Sequence, residues 1–309
     1  MNDIKVAVIG VGHLGAIHAR IYSQLKGVKL IGVCDINESR ARKTARRFRT
    51  NYFTDYRNLF GKVDAASIAV PTELHYEVSK SLLENEVNLL IEKPITKTLK
   101  EADDLLALAK ERGLILQVGH VERFNAAVLA IERIIKKPLF IECHRLGPYK
   151  KRSTDIGVVL DLMIHDIDII LGLIKDEIKE VEAVGAPVLS DYEDIANVRL
   201  KFKNNTTCNL TASRITNKTM RKIRIFQKDA YISLDYFKPS CLIYRKVNHK
   251  ITCQKLKIQH QEPLKLELEA FINCIRTKEK PLVSGIEGRK ALAIAVDIQE
   301  KIKEFSATL

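Results

Sequence analysis

The chain has 309 residues, 46% of them hydrophobic and 29% charged, enough apolar material for one or two globular domains. Its formal net charge of +13 favours anionic ligands, but the basic residues are spread out and aromatics are only 6%, which argues against a nucleic-acid-binding surface. No apolar run approaches the roughly eighteen residues of a membrane span, no cationic-then-apolar leader opens the sequence, and the six cysteines (Cys34, Cys143, Cys208, Cys241, Cys253, Cys274) show no C-x-x-C. The expectation is a cytoplasmic protein with buried thiols, no disulfide framework and no metal site.

From the N-terminus to about Gly119, apolar strand runs (Lys5–Ile9, Val28–Cys34, Ala65–Val70, Val87–Ile91, Leu114–Val118) alternate with helical patterns (His13–Lys26, Asn37–Phe48, Leu74–Glu84, Leu99–Arg112). This alternation predicts an α/β fold, a Rossmann-like doubly wound parallel sheet over residues 1–121. The first strand runs into Gly10-Val-Gly12-His13-Leu14-Gly15, the G-x-G-x-x-G order with a strand before it and a helix after. Gly10 permits the turn, Gly12 lets a pyrophosphate approach the backbone, and Gly15 lets the helix pack close to the strand. The helix N-terminus offers N–H groups to the phosphates. The second strand ends at Asp35, followed by Ile36, about twenty residues past the last glycine, where a carboxylate accepts from the ribose hydroxyls and repels a 2′-phosphate. NAD is the expected cofactor. The basic run Arg40–Arg49 then reads as a solvated helix face.

Pro71-Thr72-Glu73-Leu74-His75 follows the strand at 65–70; Thr72 is a candidate helix cap and cofactor contact. Glu92-Lys93-Pro94 follows the strand at 87–91, at the carboxyl edge where ligands of open parallel sheets bind. The proline restricts the backbone at Lys93, and partial burial there would ready its amine for proton transfer. An exposed strand-end lysine is the alternative.

Past Gly119 the pattern changes. Gly119-His120-Val121-Glu122-Arg123-Phe124-Asn125 sits at the domain junction; Glu122, Arg123 and Asn125 either hold cofactor or substrate, or form an interdomain ion pair. A helix at Asn125–Lys136 and a strand at Leu139–Leu146 lead to the basic loop Arg145-Leu-Gly-Pro-Tyr149-Lys150-Lys151-Arg152. This loop either binds a phosphorylated or nucleotide-linked substrate or is merely solvated. The helix expected at Gly157–Leu173 carries Asp161, His165 and Asp168 as one polar stripe on apolar surroundings. That stripe is an acid/base pair lining a substrate pocket, a self-satisfied structural pair, or part of a metal site for which no further ligand is apparent. Seven strand-like runs between Ile178 and Leu256 then predict a largely antiparallel sheet, and helices at Leu264–Thr277 and Glu287–Phe305 close an α+β domain over 122–309.

Taken in order, GVGHLG, the Asp35 carboxylate, P-T-x-x-H at 71–75, E-K-P at 92–94 and D-x-x-x-H at 161–165 resemble the Gfo/Idh/MocA oxidoreductase family. The resemblance implies a nicotinamide-binding domain, a C-terminal domain whose open sheet forms a homodimer or homotetramer face, and a catalytic set on Lys93, Asp161 and His165. GHVERFN, RLGPYKKR and DLMIHDID are similar to a subgroup that oxidises the 3-hydroxyl of UDP-N-acetylglucosamine. On that resemblance Lys93, Arg123, Asn125, Arg145, Tyr149, Lys150, Asp161 and His165 contact the nucleotide sugar. The cofactor contacts are Gly10, Gly12, His13, Leu14, Gly15, Asp35, Ile36, Pro71, Thr72, His75, Glu92 and Lys93. Where the family often has several glycines before the catalytic helix, this chain has Asp155-Ile-Gly157-Val-Val. Dehydrogenation of a free polyol or a UDP-sugar uronate, and a non-catalytic NAD-sensing regulator, are the rival functions.

Overall fold

A computed structural model describes residues 3–149, 156–258 and 261–307. The first elements are β1 (Ile4–Ile9), α1 (His13–Tyr22), β2 (Val28–Cys34), α2 (Glu38–Phe48), β3 (Asn51–Phe53), β4 (Ala65–Ile68), α3 (His75–Glu84), β5 (Asn88–Glu92), α4 (Leu99–Glu111) and β6 (Leu116–Gly119). The six strands form one sheet in the order β3-β2-β1-β4-β5-β6, with every pairing parallel. The order reverses between β1 and β4, so the Gly10 turn and the segment after Ile68 flank the crevice where such sheets bind ligands. β1, β4 and β5 are buried almost throughout, which is why they read as unbroken Val, Ile, Leu and Ala runs. β3 has no counterpart among the expected strands. It is a three-residue edge strand, exposed at Asn51 and Tyr52, with no apolar alternation to reveal it.

The chain continues through α5 (Ala126–Glu132), β7 (Pro138–Leu146), α6 (Ile164–Leu173), β8 (Ile178–Ala186), β9 (Ile195–Phe202), β10 (Thr207–Ser213), β11 (Met220–Gln227), β12 (Ala230–Asp235), β13 (Ser240–Val247) and β14 (Lys250–Lys255). It ends with α7 (Pro263–Thr277) and α8 (Gly285–Ser306). Eight strands form a sheet in the order β14-β13-β12-β11-β7-β10-β9-β8; only β7 and β10 pair in parallel. One face is apolar and packs on α5, α6 and the later part of α8, with Ile141, Val198 and Ile225 against Ile167, Ile170 and Ile298 in one buried cluster. Burying each such side chain contributes about 1.5–3 kcal/mol. The other face carries a row of rings across four strands, Phe140, Phe226, Tyr231 and Tyr244, with centroids 5.7, 4.8 and 5.3 Å apart.

Two compact units result. One comprises Met1–Val121 with Glu262–Lys290, the other Glu122–Gln261 with Ala291–Leu309. The first unit ends its N-terminal stretch at Val121 and takes in Glu262–Lys290, a stretch that the sequence analysis kept with residues 122–309. The physical reason is apolar: Leu268, Phe271 and Ile272 of α7 are buried against Ile4, Val6, Ile21 and Tyr22 in one cluster of the first unit. Five cysteines are buried; Cys253, on β14, is exposed, contrary to the expectation of buried thiols throughout. Among the described residues no helix is long and apolar enough to cross a membrane.

Candidate functional site

The candidate residues divide between the two units. In the first, Gly10 takes φ +83°, and a Cβ there would lie 2.5 Å from the Ala69 carbonyl oxygen. A Cβ on Gly15 would fall 1.8 Å from the Gly10 oxygen, so the helix and the turn touch through bare backbone. At Gly12 a Cβ would meet nothing within 4 Å. The space beside the loop is therefore open at the one glycine expected to face a pyrophosphate. Gly12 is also the N-cap of α1 and supplies no capping side chain, so the first N–H groups, at His13 and Leu14, remain suited to an anion.

Asp35 is buried at the end of β2. One carboxylate oxygen accepts the Val11 N–H at 3.0 Å and the other the Asn37 N–H at 2.9 Å, while the Arg40 guanidinium lies 3.3 Å away. The carboxylate thus braces the glycine turn as well as standing at the ribose position. Next to it Ile36 is 91% exposed, an apolar side chain with no protein partner of comparable burial and well suited to a flat base. Bare turn, uncapped helix, carboxylate and exposed isoleucine fit the dinucleotide: Gly12 and the α1 N-terminus would take the pyrophosphate, Asp35 the ribose, Ile36 the adenine.

Pro71 is exposed and Thr72 half-buried at the start of a short 3-10 turn. Thr72 caps nothing: Pro71 and Leu74 occupy the cap positions and no side-chain cap bond forms. This corrects the expected capping role. His75 is buried, with Nδ1 2.9 Å from the Pro94 oxygen and Nε2 3.0 Å from the Val70 oxygen. Burial pushes its pKa below the ordinary histidine value of 6.5, partly opposed by those two carbonyls. It therefore lies between two backbone turns, those after β4 and β5. Glu92 ends β5 within 3.0 Å of the wholly buried His18, and half-buried Lys93 follows with a cis bond to Pro94.

In the second unit the expected helix begins as one widened turn, Val159–Met163 with i→i+5 bonding, and becomes α-helical at Ile164. Asp161 lies in the widened turn, and its N–H donates to the Gly157 oxygen at 3.1 Å. Asp161 and His165 are half-buried, whereas Asp168 is buried with its carboxylate 3.5 Å from Arg123. The stripe read from the sequence is thus split. Among the described residues no three His, Cys, Asp or Glu side chains form a metal-binding group.

Arg123, Asn125 and Arg145 were expected at the substrate, and all three are buried and engaged within the unit. Arg145, 3% exposed, donates to both oxygens of Asp166 at 2.9 and 3.0 Å, to Glu122 at 3.2 Å and to the Tyr236 hydroxyl at 3.1 Å. Tyr236 also donates to Asp166. Burial opposes the Arg145 charge, but the Asp166, Tyr236 and Glu122 oxygens outweigh it and hold the guanidinium above its ordinary pKa. Arg123 additionally donates to the Asp168 backbone oxygen at 3.3 Å. Asn125 caps α5 by accepting from Ala127 N–H at 3.0 Å. Their donors are spent on partners, so these residues brace α6 and its surroundings. Glu122 answers to Arg145 and Arg221 inside the same unit, not across a domain boundary. Tyr149 is exposed; Lys150, with Lys151 and Arg152, lies outside the described residues.

The sequence reading passed over His18, Asp166 and Tyr236. His18 follows Gly15 by three positions, which places it on the same face of α1, and that spacing was the available signal. Nothing local marks Asp166 or Tyr236, whose partner Arg145 is 21 and 91 residues away in sequence.

An oxidoreductase family model described as an NAD-binding Rossmann fold (Gfo/Idh/MocA) matches residues 4–120, and a Gfo/Idh/MocA C-terminal domain model matches residues 137–233. The chain is 35% identical to a UDP-N-acetylglucosamine 3-dehydrogenase of Acidithiobacillus ferrooxidans, over 99% of both chains. A solved structure of the enzyme of that name from the same organism matches with a TM-score of 0.94 at 36% identity, again over 99% of each chain. A scyllo-inositol dehydrogenase from Lactobacillus casei, solved with NAD(H) and scyllo-inositol, shares the fold with a TM-score of 0.84 at 19% identity over 98% of each chain.

Proposed function

The chain belongs to the Gfo/Idh/MocA family of NAD-binding oxidoreductases, and from that premise we propose that it oxidises the 3-hydroxyl of UDP-N-acetylglucosamine. The observation that carries this reading is end-to-end similarity, 35% over 99% of both chains, to an enzyme of that name. The dinucleotide, when bound, supplies the hydride acceptor for the sugar carbon. His165 takes the hydroxyl proton as the C–H bond gives up its hydride, leaving a keto sugar. Lys93 donates a hydrogen bond to the same oxygen and steadies the charge developing on it. Asp161, in the widened turn, orients the sugar or the amine. All three side chains are half-buried, which is compatible with these roles.

In this reading the basic stretch from Arg145, with Tyr149 and Lys150, meets the diphosphate or uridine. The reading includes a cytoplasmic enzyme that self-associates through the aromatic-bearing face of the eight-stranded sheet. Incubation of the purified protein with NAD and a panel of nucleotide sugars and inositols tests the substrate: NADH should form with UDP-N-acetylglucosamine. Formation with an inositol alone would overturn the assignment. His165→Ala should lower turnover by about two to four orders of magnitude while NADH still binds.

A further inference from the structure

Lysine is a poor catalytic group unless something fixes it, because a four-carbon stem samples many rotamers. The turn that carries Lys93 has a buried imidazole on either side, one at ion-pair distance from the Glu92 side chain and one hydrogen-bonded to backbone. On one side is Glu92. Its backbone pairs in register with Gly119, and a Cβ on Gly119 would stand 2.9 Å from the Glu92 carboxylate, so the carboxylate occupies the space that glycine leaves. His18, wholly buried on α1, places Nε2 3.0 Å from the same carboxylate. On the other side is Pro94, whose carbonyl oxygen is 2.9 Å from Nδ1 of His75, itself 1% exposed; the opposite ring nitrogen reaches the Val70 oxygen at 3.0 Å.

We propose that His18 and His75 are positioning residues that clamp the Glu92-Lys93-Pro94 turn, His18 through its Nε2 on Glu92 and His75 through its Nδ1 on Pro94. The clamp ties the amine to two segments that flank the dinucleotide crevice. His18 belongs to the helix that begins at Gly12 and His13, and His75 ties the turn after β4 to the turn after β5. Neither imidazole is exposed, so neither meets substrate itself. A displacement of about 1 Å at such a site costs on the order of a hundredfold in rate. The proposal rests on Lys93 being the amine that acts on the sugar oxygen.

The two contacts use different ring nitrogens, which gives a crossed test. A glutamine amide nitrogen sits near the Nε2 position of histidine, and an asparagine amide nitrogen near the Nδ1 position. His18→Gln should keep kcat within about threefold of the parent and His18→Asn should lose roughly ten- to a hundredfold. For His75 the order should reverse, with Asn retaining more turnover than Gln. NADH affinity and thermal midpoint should stay close to the parent in the retained variants. In a Lys93→Met background His18→Asn and His75→Gln should cause no further loss, because their effect passes through the amine. Equal losses for Gln and Asn at both sites, or undiminished losses in the Lys93→Met background, would overturn the positioning roles alone. Near-normal turnover of Lys93→Met would instead overturn the catalytic reading on which they depend.

Discussion

In the first unit the glycine turn is held by backbone shape: a positive-φ glycine, a helix touching a turn through bare backbone, an uncapped helix end. In the second unit α6 is held by buried charge. Arg145 grips Asp166 beside His165, and Arg123 meets Asp168 further along. Steric shape is written in single residues, and at Gly10 and Gly15 it leaves no room for a side chain. A buried ion pair is written in two distant places and fails when either half is removed. The two units should therefore break differently.

The largest effect is expected where one half of a pair is deleted. Asp166→Ala leaves the Arg145 guanidinium buried with fewer acceptors and should destabilise the protein by about 3–5 kcal/mol, read by denaturant unfolding. A loss below about 1 kcal/mol would show that the network contributes little and would weaken the contrast. Gly12→Ala is the counterpart in the first unit. A methyl there meets no protein atom, so the unfolding midpoint should hardly change, while NAD affinity falls at least about tenfold, about 1.4 kcal/mol, by titration. Equal unfolding losses in the two variants would erase the distinction.

The smallest effect is confined to acid. Burial of Asp194 would raise its pKa, but the Leu189 N–H, the Arg214 guanidinium and the Val188 N–H outweigh it and hold the carboxylate below its ordinary 3.8. Because the folded value is depressed, the stabilisation is complete above 3.8 and is lost as pH falls through the folded value. Stability should hold steady down to about pH 3.8 and decline below it, with a shallower decline in Asp194→Asn. A decline of the same slope in the variant would assign the acid limb to other carboxylates.

The same contrast explains what could be read in advance. The parallel sheet, the antiparallel sheet and the glycine turn were legible because period, β-branched runs and glycine spacing are local signals. The buried partners of Arg123, Arg145 and Asn125 were not legible, because a sequence displays a charge without displaying its partner. The widened turn at Val159–Met163 left no trace either, since its apolar spacing matches an ordinary helix. Thr72 looked like a cap because its residue type suits one, but Pro71 and Leu74 hold the cap positions. The return of Glu262–Lys290 to the first unit depends on α7 finding β1 and α1, more than two hundred residues upstream.

That return also sets a schedule for biosynthesis. The segment bearing Phe271 is synthesised long after the glycine loop, yet Phe271 shares one buried cluster with Ile4, Val6 and Tyr22. The nascent nucleotide-binding half must therefore wait, with an apolar flank uncovered, until residues 262–290 have been made. A gene fragment ending at Val121 would make that flank permanent, and such a fragment should aggregate unless residues 262–290 are supplied alongside it.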